Sequence, residues 1–233
     1  MDDQTVVITG GTRGIGRAVA EGFAAAGAHV VLCGRDLAGV NRTVNRLNES
    51  TDSERVSGVR ADVRDTGDIA ALIDHAVDRG GEIDVLVANA AVNHGTPGQM
   101  PLHEESGSVF HDTMETNVRG VFETIKTAVP YLAPSARVLI PSGSVAREAK
   151  PGMGSYAVSK AGAEALARGF ATDLEQSVCV VDPGLVATEL TGIEKARDPS
   201  DVAPMFLWAA SEADPEEING EVVDLKTWKQ STR

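Results

Sequence analysis

The chain has 233 residues, is 42% hydrophobic but only 4% aromatic, and carries a formal net charge of −13 from 34 acidic and 21 basic residues. Such acidity weighs against nucleic-acid backbones and anionic membrane surfaces, which attract positive proteins. No apolar run approaches the roughly 20 residues that span a bilayer and the acidic start is not that of a signal sequence, so a cytoplasmic protein is expected.

Apolar runs alternate with helical stretches along the chain. Residues 5–9 form a short apolar strand ending in Gly10-Gly11, and 13–26 place Ile15, Val19 and Phe23 at helical spacing before Gly27. Then follow strand 29–33, helix 36–48, strand 56–61, helix 65–79 and strand 83–88. The second half reads as helix 106–133, strand 137–140, helix 156–174, strand 178–181, helix 199–210 and strand 221–225. Continuous apolar strands separated by helices predict a parallel sheet covered on both faces. Right-handed crossovers then give an α/β, Rossmann-like doubly wound sheet of about seven strands, one domain over 1–233. The least patterned stretches, 92–105 and 189–198, follow strand carboxyl ends, where ligands bind in such sheets. Cys33 and Cys179 sit in apolar strand runs and read as small core residues. The histidines at 29, 75, 94, 103 and 111 lack the spacing of metal ligands; His94 and His103 are candidates for a pocket mouth.

The first strand–helix junction, Thr9-Gly10-Gly11-Thr12-Arg13-Gly14-Ile15-Gly16, spaces three glycines as GxxxGxG. Glycines there allow a tight turn and close approach of backbone to a pyrophosphate, and the following helix aims its free amides at the anion. No lysine follows Gly16, unlike a nucleoside-triphosphate loop. After the second strand stands Gly34-Arg35, where an NAD protein carries an acid for the ribose 2′-hydroxyl. Arg35 offers a guanidinium for a 2′-phosphate, and Arg13 a second charge. NADP is therefore favoured, with Asp36 the acid that would support NAD instead.

In Gly154-Ser155-Tyr156-Ala157-Val158-Ser159-Lys160, Tyr156 and Lys160 share a helix face. A neighbouring ammonium is expected to lower the phenol's pKa from about 10, making the pair a general acid/base near neutrality. Ser142 and Ser144, two apart at the end of the fifth strand, face one side and are both candidates to bond a substrate oxygen. Asn117 stands mid-helix, where asparagine is unfavourable, which hints at a purpose.

Taken together, these residues resemble the short-chain dehydrogenase/reductase family, including its 3-oxoacyl-acyl-carrier-protein reductase-like members. The resemblance runs over nearly the whole chain: the glycine loop 9–16, Asp62-Val63, Ala88-Asn89-Ala90-Ala91, Asn117, the YxxSK of Tyr156 to Lys160, and Asp182-Pro183-Gly184-Leu185-Val186-Ala187-Thr188. It implies an enzyme moving hydride between NADP(H) and a ketone, 3-oxoacyl thioester or secondary alcohol, possibly carrier-tethered. Tyr156 would transfer the proton, Lys160 lower its pKa and hold the nicotinamide ribose, a serine orient the carbonyl, and Asn117 support a water-linked proton path. Cofactor contacts would come from Gly10, Thr12, Arg13, Gly14, Ile15, Gly16, Arg35, Asp62, Val63, Asn89, Ala90, Tyr156, Lys160, Pro183, Gly184, Val186 and Thr188. A homo-oligomer, dimer or tetramer, would pack through the helices of Asn117 and Tyr156 and the last strand.

The chain departs from the family pattern in several places. The serine position thirteen before Tyr156 is Gly143, so Ser144 is favoured with Ser142 as the alternative. Ala88 and Ala91 replace an Asn and a Gly, and the closing Asp-Gly-Gly is absent. The segment after Thr188 is short, which predicts a shallow, open substrate pocket. An NAD-dependent sugar or polyol dehydrogenase, and a non-catalytic NADP-binding or scaffold protein on the same fold, are the alternative readings.

Overall fold

The computed structural model describes residues 1–232. Among them, seven strands make one sheet: β1 (Thr5–Ile8), β2 (His29–Gly34), β3 (Val56–Arg60), β4 (Ile83–Val87), β5 (Leu132–Pro141), β6 (Ser177–Asp182) and β7 (Val222–Asp224). Their order is β3-β2-β1-β4-β5-β6-β7, and every neighbouring pair is parallel. The helices are α1 (Gly14–Ala25), α2 (Leu37–Thr51), α3 (Thr66–Gly80), α4 (Gly107–Met114), α5 (Gly120–Ala128), α6 (Gly154–Asp173), α7 (Pro199–Ser211), α8 (Pro215–Ile218) and α9 (Leu225–Ser231). None is long and apolar enough to cross a membrane among the described residues.

Successive strand side chains face opposite sides, and both sides are buried. Val6 and Ile8 of β1 join Phe23 of α1 and Phe206 of α7 in one core cluster. Val7, between them in sequence, joins Leu72 and Ile73 of α3 and Ile125 of α5 in the other. Two buried faces explain the unbroken apolar runs. Alanines such as Ala163, Ala167 and Ala209 fill much of the contact between helix and sheet. Cys33 and Cys179 are free and buried.

The helix predicted over 106–133 is interrupted. A π-helical turn, Glu115–Arg119, separates α4 from α5, and a 3-10 turn at Val129–Tyr131 ends the helical run. Pro130 in that turn cannot continue the ladder of amide bonds, so β5 begins at Leu132, ahead of the predicted residue 137. The short helices α8 and α9 had no predicted counterpart, although Asp214 and Asp224 cap them through Glu216 N and Thr227 N. Because β1 lies between β2 and β4, the order of connection reverses there, and a crevice opens at the strand carboxyl ends.

Candidate active site

A cleft of about 730 Å³ opens at this edge, a size typical of small-molecule sites. Gly10, Thr12, Arg13, Ile15 and Gly16 from the turn after β1 line it, with Asp62, Val63, Asn89, Ala90 and Thr188. Gly10 has φ +65°, and a Cβ there would lie 2.9 Å from Ala90 Cα. At Gly16 a side chain would run into the Gly10 carbonyl. Gly14 backs onto the Thr188 methyl. Asn89 Nδ2 donates to the Thr9 and Gly10 carbonyls at 2.8 and 3.2 Å, so its amide shapes the turn. No side chain caps α1 at Arg13, which leaves its first amides for an anion. Thr116 Oγ1 is buried without a partner and borders the same cleft. A glycine cradle, open helix amides and an orphaned hydroxyl fit a dinucleotide.

Arg17, Arg35, Arg42 and Arg46 also line the cleft. Asp36, the alternative ribose acid, is engaged as the cap of α2, accepting from Ala38 N at 3.1 Å and Gly39 N at 3.0 Å. Asp62 is held by Arg64, whose Nε lies 3.0 and 3.1 Å from its two oxygens. That grip keeps its carboxyl below the ordinary range. Arg64 reaches on to Asp112, which His94 also bonds at 2.7 Å. Neither His94 nor the exposed His103 lines the cleft. Arg13 pairs at 2.6 Å with Glu189, so the glycine turn touches the segment after β6. That segment folds back on itself, Ala187 N donating to Arg197 O at 2.8 Å. Val186 is buried beneath it, and Pro183, Gly184 and Val186 do not line the cleft.

The residues around Tyr156 form a second cluster, adjoining the cleft at Val92. Asn117 binds Val92 twice, accepting from its N at 2.7 Å and donating to its O at 2.9 Å, and also donates to Ser159 Oγ at 2.9 Å. Its side chain thus staples the loop after β4 to α6. Glu105 holds the start of α6, accepting from Ser155 N and Oγ at 2.7 Å each. Tyr156 and Lys160 do share a face, with Nζ 5.8 Å from the ring centroid. The expected lowering of the phenol pKa is not found, however. Burial, reinforced by the charge of Asp182, pushes Tyr156 up to about 12. Lys160 Nζ lies over the ring and donates to Pro141 O at 2.9 Å, and burial pushes its ammonium down to about 8. Ser142 Oγ donates to Glu164 Oε1 at 2.7 Å, whereas Ser144 Oγ accepts from Lys150 Nζ at 2.7 Å. Arg147 bridges Glu164 and Asp182. The sequence reading missed Arg147, Glu164 and Glu105; for Glu164 a signal existed, because it stands one helical turn after Lys160.

A family model described as short chain dehydrogenase matches residues 4–198. Dehydrogenase/reductase SDR family member 4 of Mus musculus is 33% identical over 245 residues, covering 96% of this chain and 86% of its own length. NADPH-dependent aldehyde reductase 2, chloroplastic, of Arabidopsis thaliana is 32% identical over 252 residues, 94% of this chain and 91% of its own. A short chain dehydrogenase from Burkholderia cenocepacia, solved in complex with NADP, superposes with a TM-score of 0.84 at 25% identity, covering 97% of each chain.

Proposed function

This chain belongs to the short-chain dehydrogenase family, and from that premise we propose that it is an NADP(H)-dependent oxidoreductase interconverting a carbonyl and a secondary alcohol. The observation that carries this reading is the placement of Tyr156 and Lys160 on one face of α6, which Asn117 ties to Val92 of a cleft whose turn has no room for side chains at Gly10 and Gly16. Arg35, Arg42 and Arg46 in the cleft lining favour the 2′-phosphorylated dinucleotide, and Asp36 beside them already accepts from two α2 amides and pairs with Arg42. The Arabidopsis relative is named for NADPH dependence. Gly10 to Gly16 and the amides of α1 would hold the pyrophosphate, Asp62 and Val63 the adenine, and Lys160 and Thr188 the nicotinamide half. Bound there, the reduced nicotinamide supplies hydride to a carbonyl carbon. Tyr156, protonated at neutral pH, gives its hydroxyl proton to the carbonyl oxygen, and a pKa brought back toward the operating pH would speed that donation. Ser144 orients the oxygen, because its partner Lys150 lies at the surface and exchanges at little cost, whereas Ser142 is bound to a buried carboxylate. The substrate is a small ketone or 3-oxoacyl thioester, free or on a carrier, and the protein works as a homo-oligomer.

A panel of such carbonyl compounds, followed by NADPH absorbance, tests the reading. At least one should be reduced, and Tyr156→Phe should lose roughly 10²-fold or more of that rate while still binding NADPH. Near-parental turnover in Tyr156→Phe would remove Tyr156 from the chemistry.

A further inference from the structure

Behind Tyr156 and Lys160 lies an ionic cluster that the proposed reaction leaves without a task. Glu164 is 3% exposed and Asp182 5%. Carboxylates at that depth are costly unless paired and hydrogen-bonded. The Arg147 guanidinium pairs with both, Nη1 on Glu164 Oε1 and Nη2 on Asp182 Oδ2. Each carboxylate takes a further bond, Glu164 from Ser142 Oγ at 2.7 Å and Asp182 from Gly184 N at 3.0 Å. Arg147 follows the 3-10 turn Ser144–Ala146 beyond β5, Glu164 comes from α6, and Asp182 ends β6. One side chain therefore ties the serine loop, the helix of Tyr156 and the strand that leads into Pro183-Gly184.

We propose that Arg147 is a positioning residue for the acid/base pair: its guanidinium balances Glu164, one helical turn from Lys160, and Asp182, at the end of β6. This rests on Tyr156 being the proton donor. Lys160 lies over the Tyr156 ring, and the other charged groups of this region are Glu164 on the same helix, Asp182 from β6, Arg147 and Lys150 from the segment after β5, and Glu105 on the neighbouring Ser155. At neutral pH the partly exposed Arg147 and the buried Lys160 are matched by the buried Glu164 and Asp182. Lys160 loses its proton before the phenol does, so Arg147 is the cation left to offset the two carboxylates when the phenol ionises, and without it a negative charge there becomes harder to form. Asp182 already acts on the phenol in that direction, and Glu164 acts on Lys160 to keep its proton. Arg147 sets how far either carboxylate reaches.

The chain has two tyrosines, and Tyr131 is an exposed residue outside the site. In a Tyr131→Phe background, tyrosinate absorbance of the full-length protein therefore reports Tyr156 alone, with circular dichroism confirming the fold. Asp182→Asn should lower the Tyr156 midpoint by about one pH unit, a tenfold change in acidity. Adding Arg147→Met to Asp182→Asn should carry it back to within about threefold of the parent. Equal midpoints for Asp182→Asn with and without Arg147→Met overturn the proposal. If that double variant loses its fold, the comparison is repeated with Glu164→Gln present in both chains, which removes the unpaired charge and leaves the expected direction unchanged. A role confined to structure would lower stability without moving the phenol. Turnover separates the two readings: an inactive Tyr156→Phe with unmoved midpoints rejects only the role of Arg147, whereas a fully active Tyr156→Phe rejects the acid/base assignment itself.

Discussion

At neutral pH Tyr156 holds its proton, because burial and the charge of Asp182 push the phenol up to about 12. The protonated form is the donor needed to reduce a carbonyl, and the phenolate is the acceptor needed to oxidise an alcohol. Below its pKa the phenolate fraction grows with each step up in pH. Alcohol oxidation should therefore climb between about pH 7 and about pH 9 while carbonyl reduction does not. Rate profiles in both directions check this, and an oxidation rate flat over that interval contradicts it. The serines differ in their partners. Ser144→Ala should cost roughly 10²-fold in turnover, of the order seen when an oxyanion donor is removed, and Ser142→Ala far less. Arg35 lines the cleft, and on the proposed NADP reading it meets the 2′-phosphate. Losing a charged hydrogen bond there costs about 1.5–3 kcal/mol, so Arg35→Ala should weaken NADPH by roughly ten- to a hundredfold and leave NADH nearly unchanged. Fluorescence titration with both nucleotides decides it, and equal losses would falsify the contact.

The start of α6 depends on a residue far away in sequence. Glu105 takes the place of a capping side chain on Ser155, while no side chain caps the helix at Met153. Losing a helix cap costs about 1 kcal/mol, equivalent to about 2–4 °C in a domain of this size. Glu105→Ala should lower the thermal midpoint by that amount, and Glu105→Gln by less, in a melt followed by circular dichroism. The π-turn Glu115–Arg119 brings Asn117 against both Val92 and Ser159. Helical periodicity is nearly the same on either side of such a turn, so only the awkward asparagine marked it in the sequence. Pro130 offered a plain stop signal for the same run, and the predicted boundary overran it.

With five phenylalanines in the whole chain, each large core side chain matters to the fold as a unit. Phe23 and Phe206 are fully buried in the same cluster, fastening α1 and α7 to one face of the sheet. Truncating either to alanine should cost about 3–5 kcal/mol, read as a lower urea midpoint, whereas the half-exposed Phe110 should tolerate the change. The sheet itself was legible throughout: alternating apolar runs and helices led to seven parallel strands, and the two least patterned stretches lie at their carboxyl ends as expected.

Local patterns determine local geometry, so the sequence by itself established the strand–helix alternation, the glycine turn and the shared face of Tyr156 and Lys160. Tertiary structure alone decided what those groups can exchange. Asp36 is engaged as a cap, Ser142 is bonded to Glu164, and the phenol is pushed up instead of down. Desolvation and Coulomb forces act through space, between elements that meet only when the sheet is assembled. Asp182 and Arg147 reach the site from different strands' ends, and no periodicity along the chain records that meeting.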